Sequence, residues 1–348
     1  MDKIKGRGSA LQPHARFDAW QREAFADGWD APPENTPDTE VRVETAKTIL
    51  SRNDSPDIPF RYAINPYRGC EHGCVYCYAR PSHAYVNLSP GLDFETKIFA
   101  KTNAAQALRV ELARPGYRPR PINLGSNTDP YQPVERHWHL TRQVLEVLLE
   151  HRHPCTLVTK GAAIEHDLDL LAALAQRTLV HVFVSLAALD GELARRLEPR
   201  AAAPRRRLRL LRALSEAGIP CGVLVAPLIP GLTDAGLEGV LKAASEAGAR
   251  RADYVLLRLP GEVGGLFEDW LVRHYALQAG RIMGLLRQCR SGVANDARFF
   301  SRMAGEGQVA ELLAQRFGIA QRRYGLHQPL PALDISAFRV PQAQGELF

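Results

Sequence analysis

The sequence predicts an α/β fold, an incomplete (β/α)6 TIM-like barrel of parallel strands with an N-terminal extension and a C-terminal helical cap. Three observations predict it. Short apolar runs, often rich in valine, alternate about six times with stretches of helical period. The runs are continuously apolar rather than alternating, as strands covered on both faces are. Six strand–helix units are two short of a full eight-fold barrel, so the sheet is expected to stay open.

Residues 1 to about 55 are polar and proline-dotted, with NTPDTE at 35–40. They predict a partly irregular extension carrying one short helix around Arg16–Phe25. Strands are expected at Arg61–Ile64, Ile122–Leu124, Thr156–Thr159, Leu179–Leu186, Gly222–Leu228 and Tyr254–Leu259. Between them, Leu140, Val144, Leu145 and Leu148 are spaced to face one side of a helix. Further helices are expected at Leu168–Gln176, Pro204–Ala217 and Leu237–Ala247. Pro204 suits a first helical turn and Gly218 a C-terminal cap. After residue 260, GEVGGLFEDW and a helical stretch at Gln278–Cys289 predict the cap, and PQAQGELF a loose tail. The division is thus 1–55 extension, 56–262 core and 263–348 cap.

Of 348 residues, 45% are apolar and 24% charged, enough to fill a large core. The opening MDKIKGRGSALQPHARFDAW has no apolar signal region. The longest apolar stretch, Cys221 to Leu232, is broken by Pro227 and Pro230, so no membrane span is expected. A cytoplasmic protein follows, and there clustered cysteines serve metals or catalysis rather than disulfides.

Cys70, Cys74 and Cys77, three of six cysteines, have the spacing C-x3-C-x2-C just past the first expected strand. Chance would give this pattern only ~0.002 times per chain. Gly69 and Gly73 let the loop fold tightly enough for the sulfurs to converge. Zinc could take the three thiolates with His72 or His83 as fourth ligand, although structural zinc usually comes in paired CxxC knuckles. An iron–sulfur cluster held by three cysteines would instead keep one iron open, as a catalytic site needs. In β/α barrels such chemistry sits at the C-terminal ends of the strands.

C-x3-C-x-aromatic-C in this loop resembles the radical SAM superfamily over roughly residues 58–262. The resemblance implies a 4Fe–4S cluster whose open iron binds S-adenosylmethionine, reductive cleavage to a 5′-deoxyadenosyl radical, and hydrogen abstraction from a substrate. It implies that Tyr76 lies beside the adenine, and that an electron donor such as flavodoxin or ferredoxin is a partner. The turn LGSNTDPYQP at 124–133 replaces the family's glycine–glycine–glutamate run, offering Ser126, Asn127, Thr128 and Asp129. Lys160 and Arg200 are candidates for the methionine carboxylate, and Ser185 for a ribose hydroxyl. Tyr76-Cys77-Tyr78, the VTK strand end and the polar turn are most similar to the spore photoproduct lyase-related branch. That lyase uses a cysteine hydrogen donor past its second strand. Here Leu124-Gly125-Ser126-Asn127 has none, which leaves Tyr78 and Tyr131 as candidate hydrogen relays.

The other thiols divide by strand direction. Cys155 and Cys221 open strands on the opposite face and read as buried structural residues; Cys289 falls in the cap. Between Arg195 and Arg212 stand eight arginines and one acid, Glu198. Arg205, Arg209 and Arg212 share an outward helix face, either solvated surface or a nucleic-acid footprint. The alternative to radical chemistry is therefore a metal-stabilised nucleic-acid-binding module, and nucleic acid is a candidate substrate in either case.

Overall fold

Valine, isoleucine and leucine crowd the central strands because both faces of their sheet are covered. Leu124, Leu157, Val182, Val184, Val223 and Val225 are all fully buried. The computed structural model describes residues 4, 6–18 and 37–341. Along it run β1 (Glu40–Glu44), β2 (Leu50–Arg52), β3 (Tyr62–Ile64), β4 (Tyr67–Arg68), β5 (Lys97–Lys101), β6 (Ile122–Leu124), β7 (Cys155–Thr159), β8 (Val180–Ser185), β9 (Cys221–Leu228) and β10 (Arg251–Leu256).

The main sheet has the order β10-β9-β8-β7-β6-β3-β2. Every neighbouring pair from β3 to β10 is parallel; only β2 runs antiparallel, on β3. All six expected strands are present, in chain order across the sheet. The last is displaced: it runs Arg251–Leu256 rather than Tyr254–Leu259. Its polar start is held by backbone pairing with Gly222 to Leu224, which side-chain hydropathy does not report.

The four expected helices form at Leu140–Glu150, Leu168–Ala175, Pro204–Glu216 and Leu237–Glu246. Gly218, at φ 71°, ends the third in the left-handed region. The cap is larger than expected. GEVGGLFEDW and Gln278–Cys289 belong to one assignment, Val263–Gln288, broken at Tyr275 (φ −143°). A further helix, Gln308–Arg323, docks on Leu237–Glu246 through Arg316 Nε and Glu238 Oε1 at 2.9 Å. None of the described helices is long and apolar enough to cross a membrane.

Within the N-terminal extension, residues 40–44 form a strand that hydropathy does not mark: β1, β5 and β4 make a small sheet in that order. The helix expected around Arg16–Phe25 falls largely outside the described residues, as does nearly all of PQAQGELF; Arg16 and Phe17 sit in a turn. The described N-terminal segment packs on the cysteine loop. Gly8 and Ser9 each donate a backbone N–H to a different oxygen of the buried Glu95, both at 2.9 Å.

The edges of the main sheet are joined through side chains of residues 290–304. Arg290 donates to the carbonyls of Leu256 and Leu257 at the end of β10, at 3.2 and 2.7 Å. Arg302 forms a bidentate pair with Asp57, in the β2–β3 connection, at 2.6 and 2.5 Å. The C-terminal ends of the parallel strands share one edge of the sheet, and the cysteine loop lies there.

Candidate active site

Just after β4 the chain bends sharply into the cysteine loop, and two glycines allow it. Gly69 and Gly73 have φ of 78° and 67°. A Cβ on Gly73 would lie 2.7 Å from Glu95 Oε2. The loop is pinned from several sides. Cys70 N–H donates to the Phe94 carbonyl at 2.9 Å and Val75 N–H to Leu197 at 3.2 Å. The fully buried Arg80 donates to the carbonyls of Cys74, Pro90, Gly91 and Gly73, and to Glu95.

All three loop cysteines are free thiols, Cys70 and Cys74 buried and Cys77 half-buried. Burial pushes Cys70 well above the usual thiol range and Cys74 up to about 12, and repulsion from Cys77 adds to both. Three thiolates on one buried loop repel one another unless positive charge lies among them, and ligation by metal would supply it. Among the described residues no three Cys, His, Asp or Glu side chains gather closely enough for a single ion. A cubane takes one sulfur per corner iron, so it spaces its ligands more widely than zinc does. His72 Nδ1 faces Asp129 Oδ2 at 3.3 Å without hydrogen-bond alignment. His83 packs edge-on to Phe94 and Phe99, with Nε2 3.1 Å from the Lys97 carbonyl.

Beside Cys74 a buried charge network converges on Tyr76. Its hydroxyl donates to Glu198 Oε1, and Glu198 Oε2 pairs with Arg207. Arg207 also donates to the carbonyls of Ser185 at 2.9 Å and Ala202 at 2.7 Å. Burial pushes the Glu198 carboxyl up, but Arg207 and Lys160 outweigh it and hold the group below its ordinary range. Lys160 Nζ lies 6.0 Å from the Tyr76 ring centroid. Burial alone would lower its pKa; Cys74, Glu198 and Asp129 raise it instead, so the ammonium stays charged. Ser185, at the end of β8, is buried and donates to the Ala226 carbonyl at 3.1 Å.

The turn after β6 serves first as a brace. Asn65 holds Ser126 Oγ at 3.0 Å and the Asn127 N–H at 2.8 Å. Thr128 donates to the Gly69 carbonyl at 2.6 Å. Asp129 accepts from Thr159 Oγ1 (2.6 Å), Lys160 N–H (2.8 Å) and Tyr131 N–H (2.9 Å). Burial would raise this carboxyl; facing His72 and taking these hydrogen bonds, it is held well below the usual range.

The two candidate relays part company. Tyr78 is 51% exposed, and its hydroxyl donates to the Ser126 carbonyl at the strand ends. Tyr131 is buried in the main core and donates to Asp167 Oδ2 at 2.8 Å, a carboxylate also paired with Arg142. Arg200 pairs with Glu71 Oε1 at 3.1 Å, and its N–H donates to the His72 carbonyl, so it clamps the loop. Lys160 thus lies near both Cys74 and Tyr76, and Tyr78 reaches the Ser126 turn, while the Tyr131 hydroxyl is committed to the fold.

Cys155 and Cys221 are buried at the starts of β7 and β9, and Cys289 is buried at the end of the cap helix. Arg205, Arg209 and Arg212 are exposed on the outer flank. Sequence periodicity passes over Glu198, Arg207, Asn65 and Arg258. The available signal was Glu198 itself, the lone acid among eight arginines.

The family model of the radical SAM superfamily matches residues 64–244. Among curated proteins, an uncharacterised protein of Mycobacterium tuberculosis is 42% identical over 233 residues, 66% of this chain and 68% of its own length. Another, from Methanocaldococcus jannaschii, is 28% identical over 174 residues, covering 50% of this chain and 62% of that protein. Among solved structures, a point mutant of spore photoproduct lyase superposes with a TM-score of 0.56 at 14% identity, covering 82% of this chain and 80% of that one. A double mutant of the same lyase, with bound AdoMet and dinucleoside spore photoproduct, gives 0.53 at 15% identity over 82% and 78%. At such identities the likeness is one of fold.

Proposed function

The chain belongs to the radical SAM superfamily, and on that premise we propose that Cys70, Cys74 and Cys77 hold a 4Fe–4S cluster with one iron left open to S-adenosylmethionine. The observation that carries the reading is the trio of free thiols on a glycine-bent loop at the C-terminal edge of a parallel sheet. When bound, the cluster and S-adenosylmethionine supply reductive cleavage to methionine and a 5′-deoxyadenosyl radical that abstracts hydrogen from substrate.

The chain's own residues bind and orient. Tyr76, its hydroxyl fixed by Glu198, presents a rigid ring beside the loop for the adenine. Lys160 offers a permanent cation to the methionine carboxylate, and Ser185 with the Ser126–Asn127 turn lines the same edge. Arg200 acts through Glu71 and the His72 carbonyl to hold the loop. Tyr78, at the mouth, is the residue placed to pass a hydrogen atom. We read the six parallel strands as an incomplete (β/α)6 barrel spanning 56–262, with residues 263–348 as its cap.

The chemistry requires an external one-electron donor of flavodoxin or ferredoxin type, and a reducing cytoplasm suits six free thiols. A nucleic acid is one substrate class to test, since one solved relative by fold is a lyase with bound dinucleoside spore photoproduct. The turn from Leu124 to Asn127 lacks cysteine, so dimer reversal by the lyase's own donor is not the reaction proposed. The nucleic-acid-module alternative is weaker: in the arginine-rich stretch Arg207 is buried and Arg206 pairs with Glu165.

Anaerobic reconstitution with iron and sulfide tests the proposal. Wild type should bind a brown cluster and, once reduced, release 5′-deoxyadenosine; the triple variant Cys70→Ala, Cys74→Ala, Cys77→Ala should do neither. Stoichiometric zinc in place of iron would overturn it.

A further inference from the structure

Among the buried and half-buried arginines near the site, Arg258 differs from Arg80, Arg207 and Arg290. Arg80 donates to four carbonyls and to Glu95. Arg207 is held by two carbonyls and Glu198, and Arg290 by four carbonyls. Among the described residues Arg258 has one weak acceptor, Met303 Sδ at 3.8 Å; its Nε is buried without a partner, as is that of Arg290, but no carbonyl or carboxylate takes the other nitrogens of Arg258.

Its position follows from the sheet. Leu257 N–H bonds to the Leu228 carbonyl at 3.0 Å, extending the β9–β10 ladder past the strand end. Leu257 and Leu259 are buried in the same apolar cluster as Cys74, Val75 and Tyr76. Extended backbone alternates its side chains, so Arg258 projects to the other side. There its guanidinium lies 5.8 Å from the ring centroid of Tyr78, the residue following the third cysteine.

The charges around it do not neutralise it. Arg302 is close enough to repel it. Asp57, the acid that attracts it, gives both oxygens to Arg302 and one also to the Phe300 N–H at 3.0 Å. A guanidinium so placed gains little for the fold, because desolvation and like-charge repulsion both count against it. Its planar fork matches an oxyanion with two oxygens to offer.

We infer that Arg258, within cation–π reach of Tyr78 beside the cysteine loop, receives an oxyanion of the reacting substrate, a phosphate or a carboxylate. This rests on the strand ends being the reacting edge, as proposed above. The anion replaces the acceptor that the described residues do not provide. The bound group would set the depth at which the rest of the substrate meets the radical.

The test uses the full reconstituted chain, with inorganic phosphate and malonate as probes in separate calorimetric titrations. One of the two should bind saturably, at least tenfold more weakly to Arg258→Gln, more weakly to Arg258→Lys, and unchanged to Arg205→Gln on the outer flank. Preference for phosphate points to a nucleotide or another phosphate ester, and preference for malonate to a carboxylic acid. Iron content and substrate-free release of 5′-deoxyadenosine should be retained in Arg258→Gln; they report on the cluster reading independently. Arg258→Gln should also melt no lower than wild type. Equal affinity in wild type and Arg258→Gln, no saturable binding of either anion, a large fall in melting temperature, or displacement of the anion by S-adenosylmethionine would each overturn the inference.

Discussion

Substituting Glu198 with alanine should separate what the buried network does for the fold from what it does for the site. Glu198 and Arg207 are each 2% exposed, and Lys160 faces the same carboxylate. Removing the acid leaves a buried guanidinium without its counter-charge, which costs about 3–5 kcal/mol. With an unfolding entropy of about 2.1 cal/mol/K per residue, a chain this long should melt about 4–7 °C lower if it unfolds as a unit. The Tyr76 hydroxyl also loses its only acceptor in the network, so its ring is no longer fixed. Release of 5′-deoxyadenosine should fall further than stability alone explains. The apolar pair Glu198→Leu with Arg207→Met distinguishes the two effects. It should recover much of the melting temperature, because a buried ion pair often contributes little net stability, but not the deoxyadenosine yield. Anaerobic calorimetry and product assay on the same preparations read both quantities. A Glu198→Ala variant melting within about 1 °C of wild type would refute the buried-pair reasoning, and full recovery of product in the apolar pair would refute the positioning role.

Three further outcomes are expected. Burial raises Glu135 from 4.5 to about 7, with the Tyr67 hydroxyl and Thr141 N–H opposing. The folded state therefore binds more protons than the unfolded one between those pH values, and this contribution, about 3 kcal/mol, is lost as pH rises through 7. Urea melts should show that slope in wild type and a flatter one in Glu135→Gln; an unchanged slope would assign it to another group. Cys155→Ala and Cys221→Ala should keep full iron content, measured by colorimetric assay, and loss of iron in either would contradict their placement on the opposite edge. A Cβ on Gly8 would stand 1.8 Å from the Gly73 carbonyl oxygen. Gly8→Ala should therefore lift the N-terminal segment off the loop, cost about 1–3 kcal/mol and speed iron loss to a chelator; unaltered release would show that the segment does not guard the loop.

What could be read in the sequence was what side-chain pattern controls. β6 matches its expected bounds because both its faces are covered, Ile122 and Leu124 on one and Asn123 on the other, and the cysteine spacing with its two glycines marked the loop directly. β1 was hidden because EVRVE is mostly exposed and gains its order only by pairing with β5, more than fifty residues away in sequence. The start of β10 was missed for the same reason: backbone pairing holds Arg251 and Asp253 where hydropathy would not. Periodicity marked Arg205, Arg209 and Arg212 as the outward face of their helix, and they are exposed. It gave no sign that Arg207, one turn from them, turns inward, since that depends on meeting Glu198 from the preceding loop. Arg258 was invisible for a related reason. A single arginine in a leucine-rich strand end reveals nothing until the packing shows which acids are already taken.

Electron paramagnetic resonance of the reduced, reconstituted protein, recorded with and without S-adenosylmethionine, bears most directly on the claim that three sulfurs leave one iron corner free. The account predicts the signal of a reduced four-iron cluster whose g values shift when S-adenosylmethionine is added. A cluster signal that S-adenosylmethionine leaves unmoved, or no cluster signal in protein that has bound its metal as zinc, would contradict it.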